Sequence, residues 1–294
     1  MIVIGIPAYN EEKNIAGIIS RLMNNGYQVI VCNDGSADST GDIAKRMGAI
    51  IVNHEKNLGY GASIRSLFLK ARELNCNVLV TFDADGQHSI DDIPSLLGPI
   101  QRGEADLVIG SRFLQKKSNS MPNYRKIGIK IITKISNLST GKKITDSQSG
   151  FRAYNKKAFN EILPSEYGMG VSTEILIKAD KKNFRITEVP IVIRYDSNAS
   201  THHPVSHGAS VIISTMKFVS IEHPLKFYGI PSLVFLAIGL FFIIWTIQVF
   251  TETRQIITNI SIIGIGSIIL GVIFMMAAVL LFSLVNVVRE RHRN

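Results

Sequence analysis

Two carboxylates in the stretch Thr81-Phe82-Asp83-Ala84-Asp85-Gly86-Gln87-His88 are spaced for metal chemistry. The apolar run Asn77–Phe82 before them reads as a short buried strand. Asp83 and Asp85 stand at i and i+2 on its end, so both face one spot where the chain turns at Gly86. A hard divalent cation takes oxygen ligands, and Mg²⁺ is held by one or two carboxylates together with substrate phosphates. Gln87 and His88 can add a ligand or a hydrogen bond to phosphate. Acidic residues also end many strands in ordinary polar turns, so the pair takes its meaning from the rest of the chain.

The elements that must carry these residues alternate. Ile2–Ile6 reads as a strand closed by Pro7, and Asn10 as the N-cap of a helix to about Asn24 with Ile15, Ile18, Ile19 and Leu22 on one face. Val29–Cys32 is a second strand and ends in Asn33-Asp34-Gly35-Ser36. A helix runs from about Asp38 to before Gly48, Ile50–Val52 is a third strand, and Asn57-Leu58-Gly59-Tyr60-Gly61 opens a helix to about Leu74. A helix over Asp91–Gln101 and a strand over Asp106–Gly110 follow the central strand. This β-α-β order predicts an α/β domain with a parallel, helix-covered sheet. In such sheets ligands bind beyond the carboxyl ends of the strands. The clusters Tyr9-Asn10-Glu11, Asn33–Ser36, Asp83–His88 and Ser111-Arg112 all fall at those ends, which predicts one shared site.

Further on, Lys116–Asn123 reads as a polar loop, and Tyr124–Ser139 as a helix with Ile127, Ile131, Ile132 and Ile135 as its apolar face. Thr145–Arg152 interrupts the pattern before a helix over Ser172–Lys182 and a strand over Phe184–Tyr195. Asp196–Gly208 is polar, and its His202, His203 and His207 match no zinc spacing. Ala209–Glu222 mixes apolar and charged residues, as an interfacial helix does. Tyr228–Phe250 and Ile256–Val288 are each long enough to span a bilayer. Lys226 at one end and Arg289, Arg291 and Arg293 at the other place both ends in the cytoplasm by the positive-inside rule. The expected organisation is a cytoplasmic α/β domain over 1–207, an interfacial helix over 208–226 and a transmembrane hairpin over 227–294, in the cell membrane.

Composition agrees with that division. The 294 residues are 46% hydrophobic and 19% charged, and charge nearly vanishes after Phe227. The net charge of +9 has no nucleic-acid motif beside it, so anionic lipid and phosphate-bearing substrates are the partners it suits. Cys32 and Cys76 lie in apolar strand-like stretches and read as buried thiols in a reducing compartment. The first residues run straight into Pro7 with no basic region, so they read as a strand rather than a signal peptide. No pattern in the sequence sets an oligomeric state.

With these residues in view, the chain resembles an inverting family-2 glycosyltransferase of GT-A fold. Within that family it is most similar to the dolichol-phosphate mannose synthase and polyprenyl-phosphate hexosyltransferase group. The resemblance covers roughly Ile2–Ser200 and rests on six motifs in order: Ile6–Glu11, Asn33–Ser36, Asn57–Gly61, Asp83–His88, Gly110-Ser111-Arg112 and Asp146–Arg152. It implies that Pro7, Tyr9 and Glu11 line a nucleotide pocket and that Asp34 hydrogen-bonds the base. Asp83 approaches the ribose or the metal, and Asp85 and Gln87 bind Mg²⁺ or Mn²⁺. The family's Gly-x-Ser-Lys element reads Asn198-Ala199-Ser200-Thr201 here, without the Lys, leaving His202 or Arg194 as substitutes.

The implied reaction moves a hexose or N-acetylhexosamine from a nucleotide sugar to dolichyl or polyprenyl phosphate, feeding protein or cell-surface glycosylation. A lipid phosphate is already anionic and needs cations more than a strong base. Arg112 and Arg125 suit that work, because guanidinium matches phosphate bidentately, and Asp146 can orient the acceptor or a cation. Asp34 can accept from the N3–H of uracil and equally from the N1–H and N2–H donors of guanine; one catalytic domain with a two-span tail resembles archaeal enzymes that load a first hexose or N-acetylhexosamine onto dolichol phosphate, and that resemblance favours a UDP-sugar over GDP-mannose. A processive synthase would carry Gln-x-x-Arg-Trp, yet Trp245, the one tryptophan, lies inside a span. The intact Asp83, Asp85, Gln87 and Arg112 argue against an inactive nucleotide-binding anchor.

Overall fold

A computed structural model of the chain describes residues 1–114, 123–192, 216, 219–221, 223–255 and 257–291. The chain divides into two compact units, Met1–Thr215 and Met216–Asn294. In the first, strands β1 (Ile2–Ala8), β2 (Gln28–Asn33), β3 (Ile50–Asn53), β4 (Val78–Thr81), β5 (Leu107–Ser111), β6 (Arg152–Asn155) and β7 (Ile186–Pro190) form one sheet in the order β3-β2-β1-β4-β6-β5-β7. All neighbours run parallel except β6, which is antiparallel to both β4 and β5.

Alternation along the strands feeds two apolar layers. Ile4, Ile6, Val29, Val31, Val80 and Phe82 pack with Ile15, Ile19 and Leu22 of α1 (Ile15–Asn24) and with Ile93 and Leu96 of α4 (Ile93–Gln101). The opposite positions, Val3, Ile30, Leu79, Leu107 and Ile109, pack with Leu67, Phe68 and Ala71 of α3 (Tyr60–Glu73) and with Leu176 of α7 (Val171–Lys181). Helices α2 (Thr40–Arg46), α5 (Asn123–Thr140) and α6 (Lys156–Glu161) also belong to the unit.

Several local expectations are corrected. Pro7 does not close β1, which runs on to Ala8 with Pro7 opposite Cys32 of β2. Pairing with β4 has already ended there, its last bond being the Phe82 N–H to the Gly5 carbonyl, so no bond needs the N–H that proline lacks. Asn10 is no N-cap: it adopts φ 56°, its side chain accepts from the Ala37 N–H, and α1 begins five residues later. The stretch after Asp146 hides β6 and α6, which interrupt the parallel pattern. On α5 the buried face is Ile129, Ile132, Thr133 and Ser136, whereas Ile127 and Ile131 are 58% and 50% exposed. Of the expected face Ile127, Ile131, Ile132 and Ile135, Ile132 is buried and Ile135 half-buried, Ile127 and Ile131 point outward, and the polar Thr133 and Ser136 are taken inward instead. The loop expected over Lys116–Asn123 falls almost wholly outside the described residues, as do Arg194, Asn198–Thr201, the three histidines and most of the interfacial stretch.

The second unit holds α8 (Pro224–Phe227), α9 (Gly229–Thr253) and α10 (Thr258–Arg291). Pro224–Thr253 and Thr258–Val287 are long and apolar enough to cross a membrane. They pair closely because glycines face the partner helix. A Cβ on Gly239 would lie 2.9 Å from the Gly264 carbonyl, and one on Gly271 would lie 2.7 Å from Leu236. Such small-residue contacts replace the hydrophobic drive that is missing between helices in lipid. The buried Ser232 hydroxyl donates to the Gly271 carbonyl at 2.8 Å.

In the first unit, glycines again allow a close approach. The buried Glu174 carboxylate accepts from the Ser165 and Glu166 N–H groups, which lays residues 165–168 over the start of α3. The Tyr167 carbonyl accepts from the Gly61 N–H at 2.8 Å. Gly59 has φ +101°, a conformation that favours glycine, and a Cβ on Gly61 would overlap the Glu166 carbonyl. Gly61→Ala is therefore expected to lower stability by about 1–3 kcal/mol, as overpacking does. Thermal unfolding of the purified protein measures it, and an unchanged midpoint would show that residues 165–168 move aside freely.

Candidate functional site

The carboxyl edge of the sheet collects Tyr9 after β1, Asp34 after β2, His54 after β3, Asp83 after β4 and Arg112 after β5. Because β6 is reversed, its beginning lies at the same edge and brings Ser147–Phe151 there.

Asp83 is held from both sides. The Tyr60 hydroxyl donates to Oδ1 at 3.1 Å, and His88 Nε2 bonds Oδ2 at 3.1 Å. His88 is fixed in turn by ring contacts with Phe82 and Phe151 at 5.8 and 4.9 Å. Gly150 completes the fit, since a Cβ there would lie 2.8 Å from Asp83 Oδ2. The Thr81 hydroxyl anchors Gly150 by donating to its carbonyl at 2.6 Å. Burial pushes the Asp83 carboxyl up, but the bonds from His88 and Tyr60 and the charge of Arg112 outweigh it and hold the group below its ordinary value. It is ionised at neutral pH. Asp85 is partly exposed, and its Oδ1 accepts from the Gln87 N–H at 3.0 Å, which tightens the turn. Gln87 is nearly buried beside it. His88 Nδ1 and Ser149 Oγ are buried with no hydrogen-bond partner among the described residues.

Asp34 anchors a second cluster. Its Oδ1 accepts from His54 Nδ1 at 2.6 Å and from the Leu58 N–H at 2.9 Å, and its Oδ2 accepts from the Gly59 N–H at 2.8 Å. Asp34 thereby fixes the backbone one residue before Tyr60, which reaches Asp83. The rim between Tyr9 and Thr40 is laced across: the Asn10 N–H donates to Ser36 Oγ, the Glu11 N–H to Thr40 Oγ1 and the Ser39 N–H to Glu12 Oε2. Tyr9 stands 39% exposed on this rim, and Pro7 is buried beneath it.

The third cluster is an ion pair. Arg112 Nε and Nη2 donate to Asp146 Oδ2 and Oδ1 at 2.6 and 2.7 Å, and the Arg112 N–H adds a third bond. Both residues are buried, Asp146 fully. The bidentate contact expected between Arg112 and a phosphate is thus made to Asp146. Glu188 of β7 steadies the turn by accepting from the Thr145 and Asp146 N–H groups at 2.8 and 2.9 Å. Burial, with the Asp146 charge, raises the Glu188 pKa despite those bonds. Arg152, also fully buried, donates to the carbonyls of Ser147, Ser149 and Ser172, which makes it the brace of this turn. The backbone of Arg125 lies in the first turn of α5, and its side chain is outside the described residues.

Sequence reasoning missed His54, Tyr60, Gly150, Glu188 and Arg152 as parts of the site. His54 carried a readable signal, since it follows a strand at the same edge as Asp34. Glu188 carried none, because its partners are backbone groups more than forty residues away.

A mixed α/β sheet with an Asp-x-Asp turn and a strand-end polar rim on one edge is the framework of a GT-A nucleotide-sugar transferase. The glycosyl transferase family 2 model matches residues 3–163. A UDP-N-acetylglucosamine–dolichyl-phosphate N-acetylglucosaminyltransferase of Methanococcus voltae is 36% identical over 71% of this chain and 89% of its own length. A dolichyl-phosphate hexose transferase of Haloferax volcanii is 30% identical over 74% of this chain and 93% of its own. The fold is shared with glucosyl-3-phosphoglycerate synthase of Mycobacterium tuberculosis, solved with Mn²⁺, UDP-glucose and phosphoglyceric acid. That structure superposes with a TM-score of 0.56 at 20% identity, over 74% of this chain and 79% of the other. The chain belongs to glycosyl transferase family 2.

Removing one partner of a buried ion pair leaves the other charge uncompensated, at a cost of about 3–5 kcal/mol. Asp146→Ala is expected to destabilise the protein by that amount, measured by denaturant unfolding. A loss under about 1 kcal/mol, the range of a surface pair, would mean that Arg112 finds another anion or water.

Proposed function

We propose that this protein is a membrane-bound, inverting transferase that moves a hexose or N-acetylhexosamine from a nucleotide sugar to dolichyl or polyprenyl phosphate, feeding protein or cell-surface glycosylation. A UDP-sugar is the favoured donor and GDP-mannose the alternative. The observation that carries this reading is Asp83. An ionised carboxylate, aimed by Tyr60 and His88, stands at a sheet edge beside Asp85 and close to the Asp34 cluster, in a chain with two helices fit to span a bilayer.

The residues present fit a hard divalent ion. Asp83 and Asp85 offer anionic oxygens and Gln87 a neutral amide, and the described residues hold no cluster of three His, Cys, Asp or Glu that would form a full protein cage. That is the donor set of a metal whose remaining ligands are substrate phosphates. Asp83, Asp85 and Gln87 would hold Mg²⁺ or Mn²⁺, which would supply positive charge opposite a leaving diphosphate. Pro7, Tyr9, Glu11 and Asp34 bind the nucleoside. Arg112, oriented by Asp146, and Arg125 on α5 supply positive charge for the acceptor phosphate. The exposed Ile127 and Ile131 share α5 with Arg125, Lys126, Lys130 and Lys134 and no acidic residue, a composition suited to the surface of an anionic bilayer. The tail then keeps the catalytic unit, on the cytoplasmic side, where the lipid headgroup emerges.

Two measurements test this. With purified protein, nucleotide sugar and a short polyprenyl phosphate, Asp85→Ala is expected to abolish transfer of labelled sugar into the organic phase at any Mg²⁺ or Mn²⁺ concentration. Full activity in excess chelator would overturn the metal assignment. Proton NMR of the product from an α-linked donor is expected to show a β-linked sugar phosphate, because in this reading the acceptor phosphate displaces the nucleoside diphosphate directly, in one step. An α-anomeric coupling would rule out a single displacement.

A further inference from the structure

We infer that His54 makes the nucleotide pocket selective for uracil by filling one acceptor position on Asp34. The inference rests on the proposed nucleoside-binding role of Asp34, and it resolves a choice that the identity of Asp34 leaves open.

An ionised carboxylate offers about four lone-pair positions. On Asp34, Oδ1 accepts from His54 Nδ1 at 2.6 Å and from the Leu58 N–H at 2.9 Å, so both of its positions are taken. Oδ2 accepts from the Gly59 N–H at 2.8 Å, and one position remains. The side chain is only 5% exposed, so water does not rearrange this pattern freely. His54 is itself locked. Its Nε2 lies 2.8 Å from Ser66 Oγ and 3.6 Å from Cys32 Sγ. Burial pushes the Cys32 thiol up to about 12, so it stays protonated beside the ring. A carboxylate oxygen only accepts, so Nδ1 carries a proton aimed at Asp34, and the Ser66 hydroxyl holds the other ring nitrogen in place.

The bases differ in what they need from such an acceptor. Uracil presents one imide N3–H between two carbonyls and requires a single acceptor. Guanine presents N1–H and N2–H side by side and requires two, so one donor would be left unpaired against Oδ1. Cytosine has no proton at N3 and would bring a lone pair against the carboxylate. A site with one open position therefore matches uracil. An unpaired donor in a buried pocket lowers affinity by about tenfold or more.

The test is isothermal titration of the full-length protein in detergent with UDP, GDP and CDP in the presence of Mn²⁺. The expected result is UDP binding about tenfold or more tighter than GDP, and His54→Ala moving the UDP-to-GDP ratio towards one. His54→Asn, whose amide restores a donor near Nδ1, is expected to recover the ratio. Ser66→Ala, which releases the ring, is expected to narrow it and serves if His54→Ala does not fold. GDP binding as tightly as UDP, or a ratio unmoved in a folded His54→Ala or Ser66→Ala protein, would overturn the inference. If none of the three nucleotides binds, the nucleotide-site reading itself fails, an outcome separate from a lost preference.

Discussion

Charge that is taken out of water must be paired or hydrogen-bonded, and that requirement organises the whole carboxyl edge of the sheet. Asp34, Asp83 and Asp146 are all sheltered there, and each is satisfied by groups from a distant part of the chain. Asp34 draws in the backbone at Leu58 and Gly59, Asp83 holds Tyr60 and His88, and Asp146 holds Arg112. The three clusters share elements. Gly59 bonds Asp34, and its neighbour Tyr60 bonds Asp83, so one short segment ties the Asp34 cluster to the Asp83 cluster. The charge of Arg112 helps keep Asp83 ionised. Preorganisation of this kind places charge before a substrate arrives and lowers the reorganisation needed during reaction.

The reversed strand β6 is what lets the edge close. Had the chain entered the sheet in parallel, residues 147–151 would lie at the opposite end. Instead Arg152 fixes the turn through three carbonyls, and Gly150 presses against Asp83, where no side chain fits. Packing and hydrogen bonding are thus supplied by the same short stretch.

Much of this was legible in the residues. The alternation of apolar runs with helical faces predicted the first five strands in order, and the polar clusters at their ends predicted a common edge. Two long apolar runs marked the C-terminal helices. The misses have physical causes. β6 is four residues long and buried on both sides, so it has neither the length nor the alternation that marks a strand. Its polar flank resembled a loop because Arg152 is satisfied internally, by the carbonyls of Ser147 and Ser149. Of the face expected on α5, Ile132 is buried while Ile127 and Ile131 are exposed, because isoleucines lie on more than one side of the helix and periodicity alone does not say which the protein covers. The residues alone suit Arg112 to a phosphate and Asp146 to an acceptor or a cation; that the two pair with each other is hidden by the thirty-four residues between them.

Every proposed step leans on one arrangement: Asp83 and Asp85 share a divalent ion that meets the nucleotide diphosphate at the sheet edge. The direct measurement is anomalous scattering from crystals of the full chain grown with Mn²⁺ and UDP. The expected result is a manganese peak in contact with Asp85 and Asp83, with the diphosphate completing its shell and the uracil at Asp34. A bound nucleotide with manganese elsewhere, or with Asp83 still engaged only by Tyr60 and His88, would contradict it.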